Sequence, residues 1–180
     1  MNSSEAIKEL EKLSIEIKDT FGSLNPDKLN YKPAQNVWSI SENLLHLVEV
    51  NLSYFPVFKE LEKGNIKLSF LAKIPFVVGL FGKMILGSVN PDRSRKMKTF
   101  AIWEPGNSDS ARPALDFFLD SQDKLIANIK ANAKAVDSEQ IISSPANKNI
   151  VYKLSVALEI IINHEKRHLN QAKEVLLVVK

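Results

Sequence analysis

Asn163-His-Glu-Lys-Arg-His-Leu-Asn-Gln171 sits inside a longer helical pattern, residues 150–178, and its reading decides the fold. Leu154, Leu158, Ile161, His164, His168, Gln171 and Val175 recur along one stripe of that pattern. Residues three and four apart share a helix face, with Cβ atoms roughly 5–6 Å apart. The stripe is apolar at both ends and polar in the middle. A polar band within a core-facing stripe is how helices packed together build a ligand site between them. His164 and His168, four apart, can therefore grip one metal ion.

The only other histidine, His46, lies far upstream in a second helical pattern that opens Trp38-Ser-Ile-Ser-Glu42. Ile40, Leu44, Leu47, Val48, Asn51 and Phe55 give that pattern its apolar face. A third imidazole from a facing helix completes a three-nitrogen site. Three protein ligands leave a coordination position open, which marks a reactive centre and not a structural one. The plain alternative is a pair of histidines on a solvated helix. Burying them without a partner, however, costs free energy. A shared ion further requires the ring of His46 to lie within about 8 Å of the later pair, given bonds near 2 Å.

Four long helical patterns are present, and no convincing alternating strand. The first covers residues 3–21, with Ile7, Leu10, Ser14, Ile17 and Phe21 in register. Asn2 and Glu5 form a capping-box pattern, and Asn25-Pro26-Asp27 supplies the turn after it. The second starts at Ser39, where Ser39 and Glu42 form another capping box. Pro56 predicts a kink or local break, and Gly64 a C-terminal stop. A long connection, 65–108, follows, with room for one or two short helices. Connections of that length usually carry function. The third helix is predicted to begin near Asp109 or Ser110, with Pro113 tolerated in its first turn. Leu115, Phe118, Leu119, Gln122, Leu125, Ile126 and Ile129 form its apolar face. Residues 143–149 read as a turn. Together these predict an all-α four-helix bundle, one domain over 1–180, with the long connection between helices two and three.

Composition agrees with a soluble globular domain: 180 residues, 44% hydrophobic and 25% charged, with a net charge of +3. That charge is too small for a dedicated nucleic-acid binder, and the run Arg93-Ser-Arg-Lys-Met-Lys98 reads first as a solvated loop. There is no cysteine, so neither a disulfide nor a protein thiolate is available. Any thiol chemistry must use a thiol brought by a substrate or cofactor. The first residues lack the basic-then-apolar order of a signal peptide, which sets a cytoplasmic expectation. The apolar segment 68–87 is interrupted by Lys73 and Lys83 and weakened by Pro75, Gly79, Gly82 and Gly87. It reads as a buried or site-covering connection and not as a membrane span, with an interfacial segment on a membrane surface as the runner-up.

His164-Glu-Lys-Arg-His168 also matches H-E-x-x-H, a zinc-protease pattern with glutamate as general base. The context argues against it. Leu169-Asn-Gln-Ala-Lys173 replaces the extension bearing a third histidine, and Glu174 follows too closely to be a downstream ligand. Glu165, a quarter turn off the histidine face, reads as a solvated charge.

The ordered set Trp38-Ser-Ile-Ser-Glu-Asn-Leu-Leu-His46, then His164-x-x-x-His168-x-x-Gln171, resembles the DinB-like superfamily. Leu29-Asn-Tyr-Lys-Pro33 resembles the approach to the family's first ligand helix. The resemblance implies an up-down-down-up four-helix bundle, often dimeric, with a divalent metal on His46, His164 and His168. Family members with assigned activities include metal-dependent transferases using low-molecular-weight thiols, and related isomerases.

The favoured reading is a metal-dependent enzyme moving a low-molecular-weight thiol to a small electrophile. A hydrolase at the same centre is the alternative, and a non-catalytic bundle that binds metal or a partner is the third reading. Zinc or nickel suits imidazole best, with iron or manganese next. No catalytic side chain is singled out, because the metal itself would activate the nucleophile. Glu42, Glu49 and Gln171 are candidates to receive the remaining ring N–H groups, although Glu42 also has its capping role. Trp38 and Trp103 are candidate pocket walls. Lys73, Lys83 and the Arg93–Lys98 run are candidates for the carboxylates of an anionic thiol. The partners expected are a small-molecule substrate and a second copy in a homodimer, with no nucleic acid and no membrane beyond a surface contact through 68–87.

Overall fold

Local capping chemistry sets the ends of the first long helices in the computed structural model, which describes residues 1–92, 101–104 and 113–179. α1, Ser3–Phe21, starts at Asn2, whose side chain accepts from the Glu5 N–H while Glu5 answers to the Asn2 N–H. The short α2, Pro26–Asn30, is capped by Asn25. α3, Ile40–Glu62, begins with the reciprocal Ser39 and Glu42 bonds. It ends where Gly64, at φ +66°, lets the Gly64 and Asn65 N–H groups close back on the Leu61 and Glu60 carbonyls. Of the kink or local break expected at Pro56, the break does not occur: α3 continues through it. Pro56 and Leu52 both lie on the exposed side of α3, where solvent can satisfy the Leu52 carbonyl that proline leaves without a donor.

The apolar part of the connection after α3 forms two helical pieces, within the one or two short helices expected there, although the second is longer than a short turn. A 3₁₀ turn, Phe70–Lys73, leads into the 14-residue α4, Pro75–Ser88, and a second 3₁₀ turn covers Ala101–Trp103. Pro75 sits in the first turn of α4, where its missing N–H costs nothing. Gly82 lies against the start of the last helix. A Cβ there would approach Val156 Cγ1 to 3.1 Å, so the glycine permits a close crossing. α5, Ala114–Ala131, follows with Pro113 at its cap, and α6, Ala133–Asp137, is a single turn. Asp109, Ser110 and the Arg93–Lys98 run fall outside the described residues.

Two strands correct the expectation of a turn at 143–149. β1, Ile141–Ser144, pairs antiparallel with β2, Asn147–Lys153, through the register Ile142↔Tyr152 and Ser143↔Val151, with an irregularity at Ser143/Ser144. Ile142, Val151 and Tyr152 are buried, so the β-branched and aromatic run at 150–152 is consumed by strand and not by helix. The last helix, α7, therefore spans Leu154–Val178 and not 150–178.

The four long helices α1, α3, α5 and α7 pack together: α3 packs on α5 and α7, and α1 packs on the same two. This all-α arrangement encloses one hydrophobic cluster that includes Leu10, Ile17, Phe21, Leu44, Phe118, Leu125, Leu158 and Ile161. α4 covers β2 and one side of α7. The reading of 68–87 as buried holds for one face only. Val78 and Gly82 are enclosed, while Phe70 and Phe76 are 71% and 76% exposed. No described helix is long and apolar enough to cross a membrane.

Candidate metal centre

The seam between α3 and α7 brings together the three histidines that the sequence separates. His46 projects from α3, and His164 and His168 project from successive turns of α7. The ring of His46 lies 4.9 Å from that of His164 and 4.5 Å from that of His168, well inside the reach of one ion. The His164 and His168 rings are 4.6 Å apart. Three ligand nitrogens, one per residue, fall within 4.8 Å of one another. The Nε2 atoms of His46 and His164 are 3.3 Å apart, and those of His164 and His168 are 3.1 Å apart. Bonds of 2.0–2.1 Å at tetrahedral angles place neighbouring ligand nitrogens about 3.3–3.4 Å apart, so the spacing matches a shared cation.

The outer ring nitrogens fix the tautomers. His46 Nδ1 donates to the carbonyl oxygen of Trp103. His168 Nδ1 donates to Asn43 Oδ1 at 2.8 Å. Asn43 cannot present its amide nitrogen instead, because that nitrogen donates to the Ser39 carbonyl at 2.8 Å. Both partners are acceptors, so both Nδ1 atoms carry the proton and both Nε2 atoms are bare. Only His164 can bring a proton to the space between the three rings, and one N–H cannot satisfy both facing lone pairs. A cation resolves this arrangement, and neutral imidazole is the form that binds one.

Burial holds all three rings neutral. It pushes the pKa of His46 down, against the opposing pull of the Trp103 carbonyl. His164 is pushed down to about 3, first by burial and then by proximity to His46 and Arg167. His168 lies well below its ordinary value, again through burial first and then through His164, His46 and Arg167. Trp38 walls one side, its ring stacked on His168 at 5.7 Å and tilted against His46 at 5.0 Å. His46 and His168 are buried, and His164 is partly buried. Arg167, beside the cluster, donates from Nη1 to the Ser88 carbonyl at the end of α4.

Glu165 corrects its sequence reading as a solvated charge. It is 1% exposed. Gln122 Nε2 donates to it at 2.7 Å, and Asn51 Nδ2, bonded to Gln122 Oε1 at 3.1 Å, lies 3.4 Å away. Burial outweighs these bonds and raises its pKa to about 7. Its carboxylate is committed to α3 and α5 within the core, which removes the solvent-facing general base that the H-E-x-x-H pattern needs.

The other candidates separate by contact. The Glu42 carboxylate accepts from the Ser39 N–H and pairs with Lys32, both away from the histidine rings. Glu49 and Gln171 are partly buried, and no hydrogen bond joins either to a histidine among the described residues. Asn43 and the Trp103 carbonyl, which hold the Nδ1 atoms, were not singled out from the sequence. Asn43 did leave a signal, as a polar residue one turn before His46 on a mostly apolar helix face. A backbone carbonyl 57 residues away leaves none. Lys73 lies over the Phe70 ring at 5.9 Å. Two surface depressions, one along α1 and one where α1 meets α7 and Pro91, do not include the histidines.

Comparison with known proteins places this geometry in context. A family model described as the DinB superfamily matches residues 10–172, which include all three histidines. The chain is 27% identical over 152 residues to the uncharacterized protein YuaE of Bacillus subtilis (strain 168), covering 84% of this chain and 85% of that one. No solved structure matches.

Proposed function

The chain belongs to the DinB superfamily, and from that premise we propose that His46, His164 and His168 hold one divalent metal ion in an enzyme that transfers a low-molecular-weight thiol to a small electrophile. The observation that carries this reading is the set of three facing Nε2 atoms with too few protons among them. Zinc or nickel suits three neutral imidazoles best, and iron or manganese next. When bound, such a cation supplies a full positive charge that favours deprotonation of an incoming thiol.

The chain's own residues contribute orientation and exclusion of water. Asn43 and the Trp103 carbonyl lock the imidazoles of His168 and His46 with their Nε2 lone pairs inward. Trp38 closes the apolar side of the cluster. The partial exposure of His164 leaves a side for substrate. The absence of cysteine makes the thiol a co-substrate, and leaves no internal thiolate to compete for the ion.

Thermal denaturation of the metal-loaded protein with a panel of low-molecular-weight thiols tests this reading. A metal-dependent rise in melting temperature with at least one thiol is expected. No rise across the panel, in protein shown to carry metal, would contradict thiol transfer and favour hydrolysis or binding alone.

A further inference from the structure

The sequence from Lys63 to Pro91 contains four lysines and no acidic residue, although the chain as a whole is nearly balanced at 24 basic and 21 acidic residues. In the fold this stretch forms the outermost layer on β2 and α7. The inner face of α4 is spent on that packing, through Val78 and Gly82. The outer face carries Phe76, Leu80 and Met84, each four residues from the next and all exposed. Leu68, Phe70 and Ile74 extend the exposed apolar surface along the preceding turn. Lys83 lies within a quarter turn of Phe76 and Leu80 on α4 by the 3.6-residue period, Lys73 ends the preceding 3₁₀ turn, and both lysines are exposed.

We infer that the outer face of α4 with the preceding 3₁₀ turn is a docking surface for an anionic lipid bilayer. Exposed apolar side chains in a segment that carries lysines and no carboxylate suit the boundary between negatively charged headgroups and acyl chains, where a helix lies in the plane of the surface. At 14 residues α4 is about 21 Å long, enough to lie flat and too short to cross. A second copy of the chain fits this face less well. A two-fold pairing sets the lysines of one copy near those of the other, and the segment has no carboxylate to separate them.

Flotation of the full-length protein with vesicles tests the assignment. One vesicle set is phosphatidylcholine alone; the other contains phosphatidylglycerol as well. The wild-type protein is expected to float with the anionic set in low salt and to be released by high salt. Phe76→Ser with Leu80→Ser removes apolar contact without touching the core and is expected to lower partitioning more than about tenfold. Lys73→Gln and Lys83→Gln are each expected to lower it by about fivefold while preserving the fold. Equal partitioning of wild-type and both kinds of variant, or no flotation with anionic vesicles, overturns the inference. So does light scattering that shows a dimer which Leu80→Ser dissolves, because the face then belongs to a second copy.

Discussion

His164 and Glu165 are consecutive on α7 yet belong to two polar layers with opposite electrostatics. The histidine layer holds three bases below their ordinary pKa, with their Nε2 atoms facing one another. The glutamate layer holds one acid above its ordinary pKa, closed in by Gln122 and Asn51. Burial causes both shifts, because it penalises whichever form is charged. The difference lies in what the neighbours supply. Gln122 and Asn51 give Glu165 N–H donors, from which its carboxyl oxygens accept. The histidines offer one another at most one N–H for three facing nitrogens, an arrangement compatible with a shared cation. Burial alone does not mark a candidate metal site; the deficit of donors does.

The sharpest way to break this comparison is to remove a ligand. His168→Ala should lower divalent-metal affinity well beyond the roughly 10–100-fold that follows loss of an outer partner. Competition with a chromophoric chelator reads the change, and unchanged affinity would show that the ion sits elsewhere. Asn43→Ala frees the Nδ1 side of His168 and should fall within that 10–100-fold range, with helix content preserved by circular dichroism.

Glu165→Ala leaves Gln122 without its 2.7 Å acceptor and should cost about 1–3 kcal/mol or more in denaturant unfolding, while shifting metal affinity far less than Asn43→Ala does. Glu165→Gln keeps the shape and should restore much of that loss.

The pH dependence of metal-stripped protein gives the finest distinction. Between about 6.5 and 3, an unfolded chain protonates the histidine that the fold keeps neutral at position 164. Its contribution is therefore complete above pH 6.5 and lost as pH falls. For Glu165 the sign reverses: its contribution is complete below about 4.5 and lost as pH rises towards about 7. Unfolding midpoints measured across this range should show the loss towards pH 7 vanish in Glu165→Gln, while the loss on acidification stays.

Local signals made much of this fold legible. The capping pairs Asn2/Glu5 and Ser39/Glu42 and the stop at Gly64 depend on residues within one turn of each other, so the chain states them directly. The histidine spacing was equally plain, because i,i+4 geometry holds in any helix. The hairpin was not legible. Ser143 and Ser144 break the apolar alternation of β1, and Ile150-Val-Tyr152 merges with the apolar period of α7. Glu165 was misread because α7 contacts α1, α3, α4, α6 and β2. A helix surrounded on so many sides buries more than one stripe, and a single-face reading cannot anticipate it. The exposed side of α4 went unseen for the opposite reason: hydrophobicity alone says nothing about which apolar face finds a partner.

X-ray absorption at the metal edge of protein reconstituted with one equivalent of zinc tests the central assignment most directly. Three imidazole nitrogens at about 2.0–2.1 Å are expected, falling to two in His46→Ala. A spectrum with fewer than three imidazoles in the wild-type protein, or one that His46→Ala leaves unchanged, would contradict a site shared by α3 and α7.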